Sequence, residues 1–144
     1  MTILNDIVSK TQEKLLQQKQ HVSLSELQKT LGVPPYTESR FAQALRDTDM
    51  AIIAEIKKAS PSAGVICADF QPMQIAKDYL NFGAAAISVL TEEDFFQGSP
   101  EDLQQVKTAV ELPILRKDFI IDSYQIYASK AMGAECILLS LIHI

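Results

Sequence analysis

From residue 51 onward, this chain repeats one unit, a short apolar strand followed by an amphipathic helix, and that repeat restricts its fold more than any other feature. Alternating or continuous apolar runs predict strands over 51–57, 85–90, 113–116 and 135–141. Helical spacing predicts helices between them over 72–82, 100–110 and 122–132. Pro72, Pro100 and Asp122 open these helices, and all three are good first-turn residues. Gly83 and Gly133 close two of them, where a residue with positive φ is needed. Phe82-Gly83-Ala84 and Met132-Gly133-Ala134 form a weak internal echo, each leading straight into a strand. Strand, helix and strand in succession make right-handed crossovers, hence a parallel sheet.

Residues 1–50 are built differently. Ile3, Leu4, Ile7, Val8, Thr11, Leu15 and Leu16 predict a helix over 3–20. A second helix is expected over 25–31, capped by Ser23 or Ser25 and stopped at Gly32 and Pro34-Pro35. Phe41 and Leu45 indicate a short third helix over 38–46. The expected organisation is a helical extension over 1–50 and a strand–helix domain over 51–144.

Two α/β architectures fit that periodicity, a doubly wound sheet and an incomplete (β/α)8 barrel. The barrel is favoured because charge gathers at strand C-terminal ends, with Lys57 after the first strand and Arg116-Lys117 after the third. Barrel active sites lie at that end. Only four strands are present, so the expectation is the helical extension and the first half of a barrel, with both sheet edges open.

Composition narrows the partners. The net charge is −5 with hydrophobic residues at 47%, which allows a sizeable core but supplies no basic footprint for nucleic acid or an anionic membrane. Cys67 and Cys136 have no metal-ligand spacing and read as reduced structural thiols. No signal-like N-terminus and no membrane-length apolar run are seen, so a soluble, cytoplasmic protein is expected. His21 and His143 read as surface or terminal residues, and the four methionines as packing.

Three segments carry chemistry. In Ala51-Ile52-Ile53-Ala54-Glu55-Ile56-Lys57, alternation puts Ile53, Glu55 and Lys57 on one face and Ile52, Ala54 and Ile56 on the other. An acid and a lysine on a buried strand face each cost on the order of several kcal/mol unless paired or solvated. The pair reads either as an internal salt bridge or as a carboxylate beside a lysine tuned for acid–base work. Ser60-Pro61-Ser62-Ala63-Gly64 follows, either a plain turn or a loop offering hydroxyls and backbone N–H groups to a phosphate, though not a P-loop. After the second strand, Phe95 and Phe96 stand among acids and turn formers; they read either as one packing and the other lining a cavity for a flat ring, or as both packing in the core. After the third, Leu115 and Lys117 turn inward together, so Lys117 shares a cavity with Lys57. Two lysines in one site repel, which lowers the pKa of at least one and suits it to general-acid work. The alternative for Arg116-Lys117 is a solvated cationic pair.

In order and spacing, Ile53-Ala54-Glu55-Ile56-Lys57-Lys58-Ala59-Ser60-Pro61-Ser62, Ala85-Ala86-Ile87-Ser88-Val89-Leu90-Thr91-Glu92 with Phe96-Gln97-Gly98-Ser99, and Leu115-Arg116-Lys117-Asp118-Phe119-Ile120-Ile121-Asp122 resemble indole-3-glycerol-phosphate synthase. The helical extension resembles that family's N-terminal segment too, so the similarity covers nearly the whole chain. The resemblance implies a (β/α)8 barrel enzyme of tryptophan biosynthesis. It closes the pyrrole ring of 1-(2-carboxyphenylamino)-1-deoxyribulose 5-phosphate with loss of carbon dioxide and water, using no metal or organic cofactor. It implies Lys117 as the general acid on the substrate carbonyl, Lys57 as a holder of a substrate anion, and Glu55 as the carboxylate that orients and balances both. Ser60 matches a site serine, and Phe96 and Phe119 match aromatics walling the anthranilate ring. In the resembled enzymes four further strands supply another catalytic glutamate, an asparagine and most of the phosphate-binding loops. The expectation is therefore a fragment, inactive alone. Its alternatives are a self-associating, non-catalytic half-barrel and another phosphosugar-binding barrel enzyme. The small-molecule substrate is the expected partner. Fusion or association with another enzyme of the same pathway is left open.

Overall fold

A computed structural model describes residues 2–32 and 38–139. The Pro34-Pro35 stop, the end of the strand expected over 135–141, and His143 lie outside the described residues.

Helix α1 spans Ile3–His21, with Ile7 and Leu15 buried. Leu16, expected on its apolar stripe, instead faces solvent. Helix α2 runs over Leu24–Leu31, and of the two candidate caps it is Ser23 that closes a capping box with Glu26. Gly32 ends it with φ of 63°. The third helix, α3, covers Arg40–Arg46 and is capped by Ser39.

Strand β1 is Ile53–Ile56 and is followed by a hairpin that the periodicity did not predict, β2 at Ala59–Ser60 paired with β3 at Gly64–Val65. Then come α4 (Pro72–Asn81), β4 (Ala86–Leu90), α5 (Pro100–Ala109), β5 (Ile114–Lys117), α6 (Ser123–Ala131) and β6 (Cys136–Ile137). Pro72 and Pro100 do occupy first-turn positions, whereas Asp122 sits one residue outside α6 as its N-cap and makes a capping box with Gln125. Gly83 and Gly133 have φ of 84° and 96°, the left-handed turn that lets the chain leave a helix and enter a strand at once.

The four main strands are parallel and lie in the order β1-β4-β5-β6, with no reversal. A doubly wound sheet reverses its strand order partway. Consecutive order is instead how a (β/α)8 barrel grows. The helix-facing side of the sheet forms the core, where Ile56, Ile87, Val89 and Ile114 meet Ala76 of α4, Leu103 and Val106 of α5, and Ala134. Each large aliphatic side chain buried there contributes about 1.5–3 kcal/mol. A second cluster, Leu15, Tyr124 and Ala128, holds α1 and α2 against α6.

The opposite face of β1 differs from the buried strand expected. Ile53 is 43% exposed while Ile56 is 1% exposed. Ile52, placed by alternation with Ile56, precedes the strand and is exposed. The face that carries the charges is thus open enough to hydrate them, which reduces the desolvation cost.

Gly98 closes the loop after β4 against its own strand. A Cβ there would lie 2.2 Å from the Leu90 carbonyl oxygen and 2.8 Å from its carbon, and neither can move without breaking the strand end. Gly98→Ala is expected to lower stability by about 1–3 kcal/mol, read as a shifted urea midpoint at constant slope. An unchanged midpoint contradicts this packing.

Candidate active site

Parallel register sets the geometry. Glu55 lies beside Ser88 and Ser88 beside Leu115, while Leu90 lies beside Lys117 one rung nearer the C-terminal rim. Lys57, two residues after Glu55, reaches the rung of Leu90 and Lys117. One strand, β4, separates the lysine backbones, so they stand two strand spacings, about 10 Å, apart. Glu55 stands one rung below Lys57 on the same strand.

The side chains close that gap. Glu55 Oε1 is 2.7 Å from Lys57 Nζ, and Glu55 Oε2 accepts a hydrogen bond from Lys117 Nζ at 2.5 Å. The three side chains are 29%, 30% and 39% exposed for Glu55, Lys57 and Lys117, so the cluster is partly dried but still open on one side. Burial pushes the Glu55 carboxyl up, but the hydrogen bonds and charges of Lys117 and Lys57 together outweigh it and hold the carboxyl below its ordinary value. Repulsion between the lysines, expected from their shared cavity, is thereby offset by a carboxylate between them. Two cations and one anion leave an excess positive charge at the rim, suited to an anionic substrate. Tyr79 of α4 fixes the strand beneath by donating to the Glu55 carbonyl at 2.9 Å.

The aromatics also converge. Phe96, from the loop after β4, and Phe119, from the loop after β5, have ring centroids 6.3 Å apart at 41°, so they form two sides of a corner. Phe95 is half-buried beside them in sequence. Ser60 is less directly placed. Its Oγ accepts from Ala63 N at 3.2 Å within the hairpin, and among the described residues no hydrogen bond joins it to the lysine cluster. A backbone bond from Ala59 N to the Phe96 carbonyl, 3.2 Å, ties the two loops together.

Arg116 departs from expectation. It is not half of a solvated pair but is 5% exposed on the helix side of β5, opposite Lys117. Its guanidinium donates to Thr91 Oγ1 at 2.9 Å, Ser129 Oγ at 3.0 Å and Asp118 Oδ2 at 2.8 Å. Its guanidinium is taken up by these internal partners and does not face the rim. The sequence signal was present, because alternation puts Arg116 on the same side as Ile114. Glu92 is a second residue not foreseen as a site element. It is 5% exposed, and its carboxylate accepts from the backbone N–H groups of Asp94, Phe95 and Phe96.

The helical extension grips the same rim. Lys14 pairs with Glu93 and Asp94, and Lys19 with Asp122 at 2.8 Å. Tyr124 Oη donates to the Val22 carbonyl at 2.9 Å. His21 is exposed, as expected, with its Nδ1 2.8 Å from the Gln17 carbonyl. Both cysteines are free. No described helix is long and apolar enough to cross a membrane.

Comparison with known proteins adds an independent finding. The profile of the family described as indole-3-glycerol phosphate synthase matches residues 4–143. The indole-3-glycerol phosphate synthase of Neisseria meningitidis serogroup B is 48% identical over 141 residues, covering 95% of this chain and 54% of that protein. That of Rhodopirellula baltica is 49% identical over 140 residues, with 96% and 54% covered. That of Polaromonas naphthalenivorans is 63% identical over 89 residues, 62% of this chain and 34% of the relative. The chain spans about half the length of the curated relatives it matches along its whole extent.

The ion-pair geometry predicts a pH signature. Because the folded Glu55 carboxyl titrates below its ordinary 4.5, its contribution to stability is present above that pH and is lost as pH falls through the lowered value. Denaturant unfolding of the parent chain and Glu55→Gln is expected to differ most near neutral pH and to converge in acid below 4.5. A gap that stays constant across that range contradicts the bridging role.

Proposed function

Since this chain belongs to the indole-3-glycerol phosphate synthase family, we propose that the complete protein closes the pyrrole ring of 1-(2-carboxyphenylamino)-1-deoxyribulose 5-phosphate in tryptophan biosynthesis. The observation that carries this reading is the Glu55 carboxylate bridging two ammonium groups beside the Phe96–Phe119 corner.

In this reaction the aromatic carbon bearing the carboxylate attacks the ketone carbon, and a carbon–carbon bond forms. Lys117 donates a proton to the ketone oxygen as charge develops there. Carbon dioxide then leaves from the attacked ring carbon, its bonding electrons restoring the aromatic ring. The hydroxyl so formed takes a second proton and departs as water, while a proton is lost from the adjacent carbon and the new ring becomes unsaturated. Carbon dioxide and water account for every atom lost, so the balance calls for no redox partner. Lys57 pairs with a substrate anion, and Glu55 keeps both ammonium groups aimed at the rim. Phe96 and Phe119 wall the anthranilate ring, which brings the flexible substrate into a reactive fold. Ser60 binds substrate from the hairpin. Residues 1–50 form the helical extension and 51–144 the first half of the barrel. A base for the dehydration and the main phosphate anchor belong to the half of the family's length that this chain does not span.

In the complete protein, Lys117→Ala is expected to lower kcat by at least about a hundredfold, within the usual range for a lost general acid, followed by fluorescence of the indole product. Residues 1–144 alone are expected to give no turnover. Retained activity in Lys117→Ala contradicts the assignment of the acid.

A further inference from the structure

The corner between Phe96 and Phe119 is built by two loops, each folded around a carboxylate, Glu92 at 5% exposure and Asp118 with its side chain 10% exposed. Glu92 Oε2 accepts from Phe95 N at 2.7 Å and Phe96 N at 3.0 Å, and Oε1 accepts from Asp94 N at 3.1 Å. The Glu92 carbonyl takes the Gly98 N–H at 2.9 Å, so the loop from 92 to 98 is wound about this one residue. Gln97, inside that winding, is held at φ of 52°, a left-handed conformation that a side chain other than glycine adopts at a cost. The surrounding bonds outweigh that cost.

The second loop is organised in the same manner. Asp118 Oδ1 accepts from Phe119 N at 2.8 Å, fixing where the ring leaves the backbone. Its Oδ2 takes Arg116 Nη2 at 2.8 Å and the Thr91 hydroxyl at 2.5 Å. Thr91 is the residue immediately before Glu92, and its own N–H donates to the Lys117 carbonyl at 3.1 Å. The two carboxylates are thus joined through Thr91, which is hydrogen-bonded to Asp118 and is the covalent neighbour of Glu92, in one path from the Phe96 backbone to the Phe119 backbone. Arg116 supplies the countercharge beneath it. Buried carboxylates are kept where each lone pair meets a donor, and such networks confine their surroundings to one arrangement.

We propose that Glu92 and Asp118 are positioning residues that set the corner between Phe96 and Phe119, and so determine how the aromatic ring of the substrate is gripped. This rests on the reading that those two rings wall the anthranilate moiety. Each carboxylate acts by fixing the backbone N–H from which a wall projects.

The test uses the complete protein with Glu92→Gln, Asp118→Asn and Thr91→Val. Affinity for the full substrate is measured in a Lys117→Ala background, beside the inhibition constant of ribulose 5-phosphate in the catalytically intact variants. Ribulose 5-phosphate carries a phosphosugar but no aromatic ring. The expected result is substrate affinity weakened about tenfold or more with the ribulose 5-phosphate constant unchanged. Equal weakening of both ligands would mean that the loops merely lose structure, and overturns the proposal. Unchanged affinity for both also overturns it. If Asp118→Asn does not fold, Thr91→Val, which removes one hydroxyl from the chain, gives the same reading by itself. Failure of the parent protein to bind or convert the substrate would instead refute the functional reading, and is distinguished by assaying the parent first.

Discussion

The register of β1 against β4 and of β4 against β5 is the constraint on which the rest of the structure depends. Pairing Glu55 with Ser88 and Leu90 with Lys117 puts an acid between two lysines drawn from strands that are not neighbours. Slipping either strand by one residue would turn Glu55, Lys57 or Lys117 into the aliphatic core and bring Ile56 or Arg116 out to the rim. The core opposes such a slip, because Ile56, Ile87, Val89 and Ile114 are buried on the helix side by the same alternation. The packed face and the reactive face are two consequences of one register.

Electrostatics divides between those faces. At the rim, one carboxylate shares two ammonium groups and an excess positive charge remains, available to an anionic ligand in a partly solvated setting. Beneath the strands, Arg116 is consumed by Asp118, Thr91 and Ser129 and is closed to ligands. Adjacent residues of β5 thus serve opposite ends, Lys117 reaching outward and Arg116 holding the loop bases together. The helical extension contributes from a third direction, since Lys14 and Lys19 draw α1 onto the same two loops. Burial opposes the charge on Lys14, but the Asp94 and Glu93 carboxylates hold its ammonium above its ordinary value.

The family assignment explains the exposed side of the sheet. The chain spans about half the length of its relatives, and in a closed barrel the inner face of each strand meets the strands opposite. Ile53 is open to solvent here, whereas Ile56, Ile87, Val89 and Ile114 on the helix side are buried. The consecutive strand order accords with a barrel begun at β1 and continued beyond β6.

Much of this was legible in the sequence, and the reason is periodicity. Alternation in two-residue steps was enough to put Glu55, Lys57 and Lys117 on one face, and proline and glycine punctuation marked the helices to within a residue or two. Those signals are local, because strand geometry and capping depend on near neighbours. The approach of Phe96 to Phe119, the β2–β3 hairpin and the role of Glu92 were decided only in three dimensions. A loop has no period. Its shape depends on which buried donors and acceptors find one another, and here the partners Thr91 and Asp118 lie 27 positions apart in sequence. The chain's order of residues therefore determined which groups face the rim, while tertiary packing decided how the walls around them stand.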